Sequence, residues 1–170
     1  MCSSDLFMPF YPGPGLGGHC IPIDPFYLSW KARQSGFECR FIELAGQVNG
    51  SMPEYVVRKI GAALNSVRKA INGSRVHVFG ATYKPDGSDV RESPSLDLME
   101  LLIRQNAVVS YTDPYVPSLT LGSHTFHSVD FHAAVRTPYD CAVVATNHRV
   151  FDYASIAAMP LVVDTRNALD

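Results

Sequence analysis

The chain is short of several things, and each shortage narrows what it does. Across 170 residues there are four cysteines, Cys2, Cys20, Cys39 and Cys141. They are too scattered for a disulfide framework and show no metal-ligand spacing, so a reducing cytoplasmic compartment is the simplest setting. The six histidines share no ligand spacing either. No apolar run approaches a membrane span, and no signal-peptide pattern opens the sequence. A formal net charge of −2 leaves no basic footprint for nucleic acid. No internal repeat or low-complexity segment appears. What remains, 46% hydrophobic and 18% charged residues, is the composition of a soluble globular protein, with enough length for one domain and part of another.

The sequence is organised around Tyr11 to Pro25, YPGPGLGGHCIPIDP. Glycines 13, 15, 17 and 18 permit close backbone approach to a ligand, and prolines 12, 14, 22 and 25 stiffen the flanks. The spacing Gly13-x-Gly15-x-x-Gly18 imitates a dinucleotide fingerprint, but that fingerprint requires a strand before it and a helix after it. Here prolines and aromatics precede it, and Cys20 and Pro22 follow. On residues alone two readings stand side by side: a ligand loop ending in a thiol, or a tight turn around a buried cysteine.

Downstream, Asp24 is expected to N-cap a helix starting at Pro25, with Phe26, Leu28, Trp30 and Ala32 on its apolar face, Tyr27 and Trp30 in the core, and Gly36 at its end. A second helix is expected over 41–49. A third starts at Ser51 with a Ser51-x-x-Glu54 capping box and inward Tyr55, Val56, Ile60, Ala63, Leu64 and Val67. Asn72-Gly73 breaks it. Residues 75–81 then read as a buried strand, 82–93 as a polar loop, and 93–105 as a helix. Strands follow at 107–111, 125–127 (an edge strand), 141–145 and 161–164, with helices at 130–135 and 151–158. This alternation predicts a Rossmann-like, doubly wound parallel sheet over 74–170, after a helical segment over 1–73. In such sheets ligands sit at the strands' carboxyl ends. The loop 82–93 leaves there, carrying Lys84 and Arg91, which are suited to phosphates or simply to a solvated surface. Arg166, at the polar tip of the last strand, is open to the same two readings.

The string GPGLGGHCIPIDPFYLSWKA, together with YKPDGSDVRESP, resembles the UDP-glucose/GDP-mannose dehydrogenase family of nucleotide sugar 6-dehydrogenases. The likeness runs from about Met8 to the C-terminus and is strongest toward the UDP-N-acetyl-D-glucosamine branch; residues 1–6 do not fit it and read as foreign. The resemblance implies NAD-dependent oxidation of a sugar C6 hydroxyl to a carboxylate. Cys20 would be the nucleophile that holds the aldehyde as a thiohemiacetal and then a thioester, with Asp24 assisting water. It further implies that Phe10 and Tyr11 line the substrate pocket and that amides of Gly15, Gly17 and Gly18 meet sugar or phosphate oxygens. Lys84 would contact the UDP-sugar, Arg91 would reach NAD, and Arg166 would touch the nucleotide side of the substrate. Pro85 and Gly87-Ser88 depart from the family's commoner residues.

On this view the chain is the C-terminal part of such an enzyme: the end of a central helical dimerisation domain (1–73) and a UDP-sugar-binding domain (74–170). The N-terminal NAD-binding half would be missing, and a homodimer would form through the central helices. Alternatives remain: a non-catalytic nucleotide-sugar-binding module, a dehydrogenase acting on UDP-glucose, or a cysteine hydrolase using Cys20 and a histidine such as the adjacent His19.

Overall fold

A computed structural model describes residues 11–169. Its centre is a four-stranded parallel sheet of strands β1 (Arg75–Phe79), β2 (Val108–Thr112), β5 (Cys141–Val144) and β6 (Val162–Asp164), in the order β2-β1-β5-β6. The period-2 geometry of a strand decides which side each residue serves. Val76 and Val78 of β1, with Cys141 and Val143 of β5, face a core completed by helices α3 (Met52–Ser66) and α4 (Pro94–Arg104). Phe79, Ala142 and Val144 face a second core under helices α5 (Phe131–Arg136) and α6 (Tyr153–Ala157). Both faces are therefore covered, as a doubly wound sheet requires. The order reverses between β1 and β5, which puts the topological switch point at the carboxyl ends of those two strands.

His77 sits inward on β1, with Nδ1 2.8 Å from Ser110 Oγ and Nε2 2.9 Å from Thr112 Oγ1. It stacks on Tyr139 at 4.5 Å. Burial without a charged partner pulls its pKa down to about 3, so the ring is neutral.

Helix α4 starts as expected, with the Ser93 side chain accepting from Ser95 N and Pro94 in the first turn. Elsewhere the local expectations need correction. Asp24 is not an N-cap: it lies inside helix α1 (Asp24–Gln34), whose capping position is Ile23, with no side-chain cap bond. Ser51 forms no capping box. Helix α2 (Arg40–Gly50) runs almost directly into α3, Ser51 is in the right-handed helical region, and its hydroxyl donates back to Val48 O. With no extended residue at the junction, the side chain has no orphan amide to meet.

Tyr27 and Trp30 are exposed rather than core, as is Leu28, and only Ser29 of α1 is buried. In α3 the inward set is Val56, Val57, Ile60 and Leu64, while Tyr55 and Val67 lie outside. The strand at 125–127 is not an edge of the main sheet. It is β4 (His124–His127), paired antiparallel with an unforeseen β3 (Ser118–Leu121). Leu119 and Leu121 alternate with polar neighbours, and Gly122-Ser123 supplies a two-residue turn, which is a hairpin signature.

Candidate functional site

The glycine loop docks on the sheet domain at three places. Gly18 N–H donates to Arg91 O at 3.1 Å. Gly18 has φ +91 and lies against the Tyr83 ring, whose Cε2 would be 2.8 Å from any added Cβ, so both backbone and space require glycine. Gly17 is similarly close to Glu92 O and Tyr83 Cβ, and Gly15 to Pro94. At the loop's other end, the Arg166 guanidinium occupies the volume a Gly13 side chain would need. Sequence positions 13–18 thus pack against residues of 83–94 and against Arg166.

Cys20 is exposed at the end of this loop. Its carbonyl accepts from Asp24 N at 2.8 Å and Ile23 N at 3.0 Å, a turn that starts α1 directly after the thiol. Asp24 is exposed in that helix's first turn. Arg91 is exposed and doubly bonded to Asp89, with Nη2–Oδ2 at 2.7 Å and Nε–Oδ1 at 3.0 Å. Those hydrogen bonds, with the charge of Asp89, hold its guanidinium above the usual value. The same pair holds Asp89 down to about 2.

Lys84 is exposed, with Nζ 5.4 Å from the centroid of the Tyr83 ring that packs on Gly18. Arg166 Nε is enclosed and has no hydrogen-bond partner among the described residues, and burial pulls the guanidinium below its usual pKa. The tip that carries it is built by Asp164, whose carboxylate accepts from Arg166 N at 2.8 Å and Ala168 N at 2.6 Å. A cleft of about 440 Å³ runs between Gly13, Tyr55 and Lys59 of α3, and Thr165.

Two sequence expectations change. The Gly18 amide is not free for a ligand, because Arg91 O holds it and the residue is buried. Tyr11 is exposed and does not line the cleft between Gly13 and Thr165, whereas Phe10 lies outside the described residues. Another cleft, about 560 Å³ beside Pro114, Phe131 and Phe151, contains none of the candidate residues. A group missed in the sequence reading is the buried pair Asp113–His148, with Nε2 3.0 Å from Oδ2. Burial alone would raise the Asp113 carboxyl, but the hydrogen bonds from His148, Ala81 N and Tyr115 N outweigh it and hold the pKa low. Asp113-Pro114 announced only a turn, and nothing in the sequence ties it to His148, 35 residues away.

A dinucleotide does not fit the described residues. The glycine string lies in irregular backbone, with one of its amides already bonded. The amide at the first strand-to-helix turn of the sheet, Ala81 N, donates to the Asp113 carboxylate at 2.7 Å, so a negative group already stands where a pyrophosphate would need to be. Among the described residues no cluster of metal-binding side chains occurs, and no helix is long and apolar enough to cross a membrane.

Fold and site together define a doubly wound α/β domain bearing a cysteine loop across one end. Comparison with known proteins narrows this. A family model for the UDP-glucose/GDP-mannose dehydrogenase UDP binding domain matches residues 77–170, and the model for that family's central domain matches residues 2–51. UDP-N-acetyl-D-mannosamine dehydrogenase of Methanococcus vannielii is 34% identical over 168 residues, covering 94% of this chain and 36% of the relative. UDP-N-acetyl-D-glucosamine 6-dehydrogenase of Pseudomonas aeruginosa is 33% identical over 145 residues, covering 85% and 34%. Among solved structures, NDP-N-acetyl-D-galactosaminuronic acid dehydrogenase of Methanosarcina mazei superposes with TM-score 0.78 at 27% identity, covering 95% of this chain and 36% of that one. The chain belongs to the UDP-glucose/GDP-mannose dehydrogenase family. It spans little more than a third of the length of these relatives.

Proposed function

We propose that the chain is the substrate-binding and thiol-bearing part of an NAD-dependent dehydrogenase that oxidises C6 of a UDP-N-acetylhexosamine to the carboxylate. The observation that carries this reading is the packing of the Gly13–Cys20 loop against the loop that bears Lys84 and Arg91 and against Arg166. Two cations for a diphosphate, Lys84 and Arg166, lie on the same domain that the thiol-bearing loop docks on. Lys84 offers an ammonium, and Arg166 a guanidinium whose Nε lacks a hydrogen-bond partner among the described residues, to the UDP group; the amides of Gly15 and Gly17 are assigned to the sugar. Domain boundaries near 73 and assembly as a homodimer through the helices before it belong to the same proposal, as does a cytoplasmic location.

NAD is the hydride acceptor of this chemistry, and residues other than those described must hold it; Arg91 is the described side chain assigned to its edge. The residues of this chain act on the sugar. Cys20 sulfur adds to the C6 aldehyde, forming the S–C bond as the carbonyl oxygen takes a proton, and so keeps the intermediate from leaving. Once the carbon stands at the thioester level, water attacks it with Asp24 accepting a proton, and the thiolate leaves.

The test begins with calorimetric titration of UDP into the folded chain. Binding is expected, and Lys84→Ala or Arg166→Ala should weaken it by about 10–100-fold, the scale of one charge-assisted contact. Absence of binding at millimolar UDP would remove the assignment. Joined to a family-type NAD-binding half, the protein should form NADH from UDP-N-acetylglucosamine or UDP-N-acetylmannosamine, and Cys20→Ser should abolish acid release. Turnover with UDP-glucose alone would replace the substrate reading. Binding without turnover in the joined protein would favour a nucleotide-sugar-binding module.

A further inference from the structure

The loop that carries Lys84 contains no helix or strand, yet part of it is tied to the buried core through two side chains, Asp113 and His148. Asp113 Oδ2 accepts from Ala81 N at 2.7 Å and lies 3.0 Å from His148 Nε2; its other oxygen accepts from Tyr115 N at 2.9 Å and Val116 N at 3.1 Å. His148 Nδ1 lies 3.0 Å from Asp86 N. An amide can only donate, so Nδ1 is the unprotonated nitrogen and the ring proton sits on Nε2, directed at Asp113. Thr82 Oγ1, 3.3 Å from the same Nε2, donates to Lys84 O at 2.9 Å. All donors and acceptors in this set are matched. Both residues of the pair are fully enclosed, with side-chain exposures of 0%.

We propose that the Asp113–His148 pair is a positioning device for Lys84, fixing the carbonyl of Lys84 through Thr82 and the amide two residues later through Asp86, so that the ammonium is presented to the UDP diphosphate. This rests on the nucleotide role of Lys84 proposed above. Held on both sides, the backbone leaves only the lysine side chain free, which lowers the ordering cost of binding. Asp86 has φ +58 and is further clamped by Arg149, whose amide donates to its carboxylate at 3.0 Å. Such a backbone conformation in a residue other than glycine needs outside support, and His148 with Arg149 supplies it. The buried carboxylate is held in its charged form by the same bonds that fix the loop.

A double-mutant cycle in the 170-residue chain separates positioning from simple stability. UDP affinity is measured by calorimetry well below the unfolding temperature for wild type, Lys84→Ala, His148→Leu and the double variant. His148→Leu should weaken UDP binding about tenfold, the scale of a lost hydrogen bond. It should weaken it no further once Lys84 is alanine. His148→Asn, which keeps an acceptor where Nδ1 stands, should recover most of the affinity, whereas a merely stabilising role would give equal affinity for all folded variants. Additive losses, or no loss in folded His148→Leu, overturn the proposal.

If wild type binds no UDP, the nucleotide reading falls. The loop anchoring is then judged by amide exchange at Asp86. Exchange slow in wild type and at least tenfold faster in His148→Leu supports it, and equal rates overturn it. If His148→Leu fails to fold, Thr82→Val provides the same comparison by removing the hydroxyl that stands between His148 and Lys84 O.

Discussion

The helices on either side of Ser51 are almost continuous in the chain, yet they live in different surroundings. Helix α3 sends Val56, Val57, Ile60 and Leu64 into the core beneath the sheet. Helices α1 and α2 bury only Ser29 between them, while Trp30 is 52% and Phe41 88% exposed. Patterning does not separate α2 from α3, since both carry a clear apolar face, although α1 has only a weak one. What separates them is whether a complementary face is present. The sheet offers one to α3, and the described residues offer none to α1 and α2. An amphipathic pattern predicts that a face will be covered but not by what. The uncovered aromatics of the first two helices are the natural contact for a second copy or for further chain.

The largest expected effect tests the α3 side. Ile60→Ala removes a fully buried side chain and should lower unfolding free energy by about 2–5 kcal/mol, measured by chemical denaturation. Trp30→Ala should move the same midpoint by less than about 0.5 kcal/mol in a monomeric sample. Equal losses would show that α1 belongs to the same cooperative core, and the contrast between the regions would disappear.

A second effect belongs to the sheet alone. His77 is neutral and buried, with a folded-state pKa of about 3 against 6.5 when unfolded. The unfolded chain therefore takes up the proton first. The contribution of His77 to stability is complete above pH 6.5 and is lost as pH falls from there toward 3. One proton over the first two pH units amounts to about 2–3 kcal/mol. Denaturation midpoints measured along that range should fall in wild type and fall less steeply in His77→Phe. An unchanged slope would mean that the ring is hydrated or already paired when folded.

These regions also differ in how well the sequence announced them. The parallel sheet was legible because its strands are short apolar runs set between helical spacings, and helix α4 because Ser93-Pro94 is an unambiguous start. The chemistry-bearing loop was legible through its glycines and thiol. The Asp113–His148 pair was not, because a buried polar pair depends on which strands become neighbours, and local spacing carries no information on that. The exposed Tyr27 and Trp30 were misjudged for a related reason: large aromatics imply burial, but burial can await another surface. The hairpin β3–β4 was readable from Leu119, Leu121 and Gly122-Ser123, although only its second strand was expected.

A third measurement asks what covers α1 and α2. If a second copy does, sedimentation of the wild-type chain should reveal reversible self-association, and Trp30→Glu, which sets a charge in the exposed aromatic face, should weaken it at least tenfold while leaving the His77-dependent pH slope intact. A monodisperse monomer at high concentration would assign that face to other parts of a longer protein.

The smallest effect concerns what holds α1 to α2 in the absence of such a cover. The Glu43 carboxylate accepts from Ser29 Oγ at 2.9 Å and pairs with Arg33, so one side chain of α2 fastens two residues of α1. The Arg33 side chain is 62% exposed, and an ion pair in that setting is screened by water and salt. The Ser29 contact is the drier half and is the one that orients the helices. Glu43→Gln keeps an acceptor for Ser29 and removes the charge, so it should cost less than about 0.5 kcal/mol, whereas Glu43→Ala removes both and should cost about 0.5–1 kcal/mol. Neither should disturb the sheet, because these residues belong to neither core cluster of the described residues. The readout is amide exchange within 24–50, with amides of β1 and β5 as internal reference. Loosening confined to α1 and α2 would sharpen the contrast between the two regions, and loosening that spread equally into β1 would erase it.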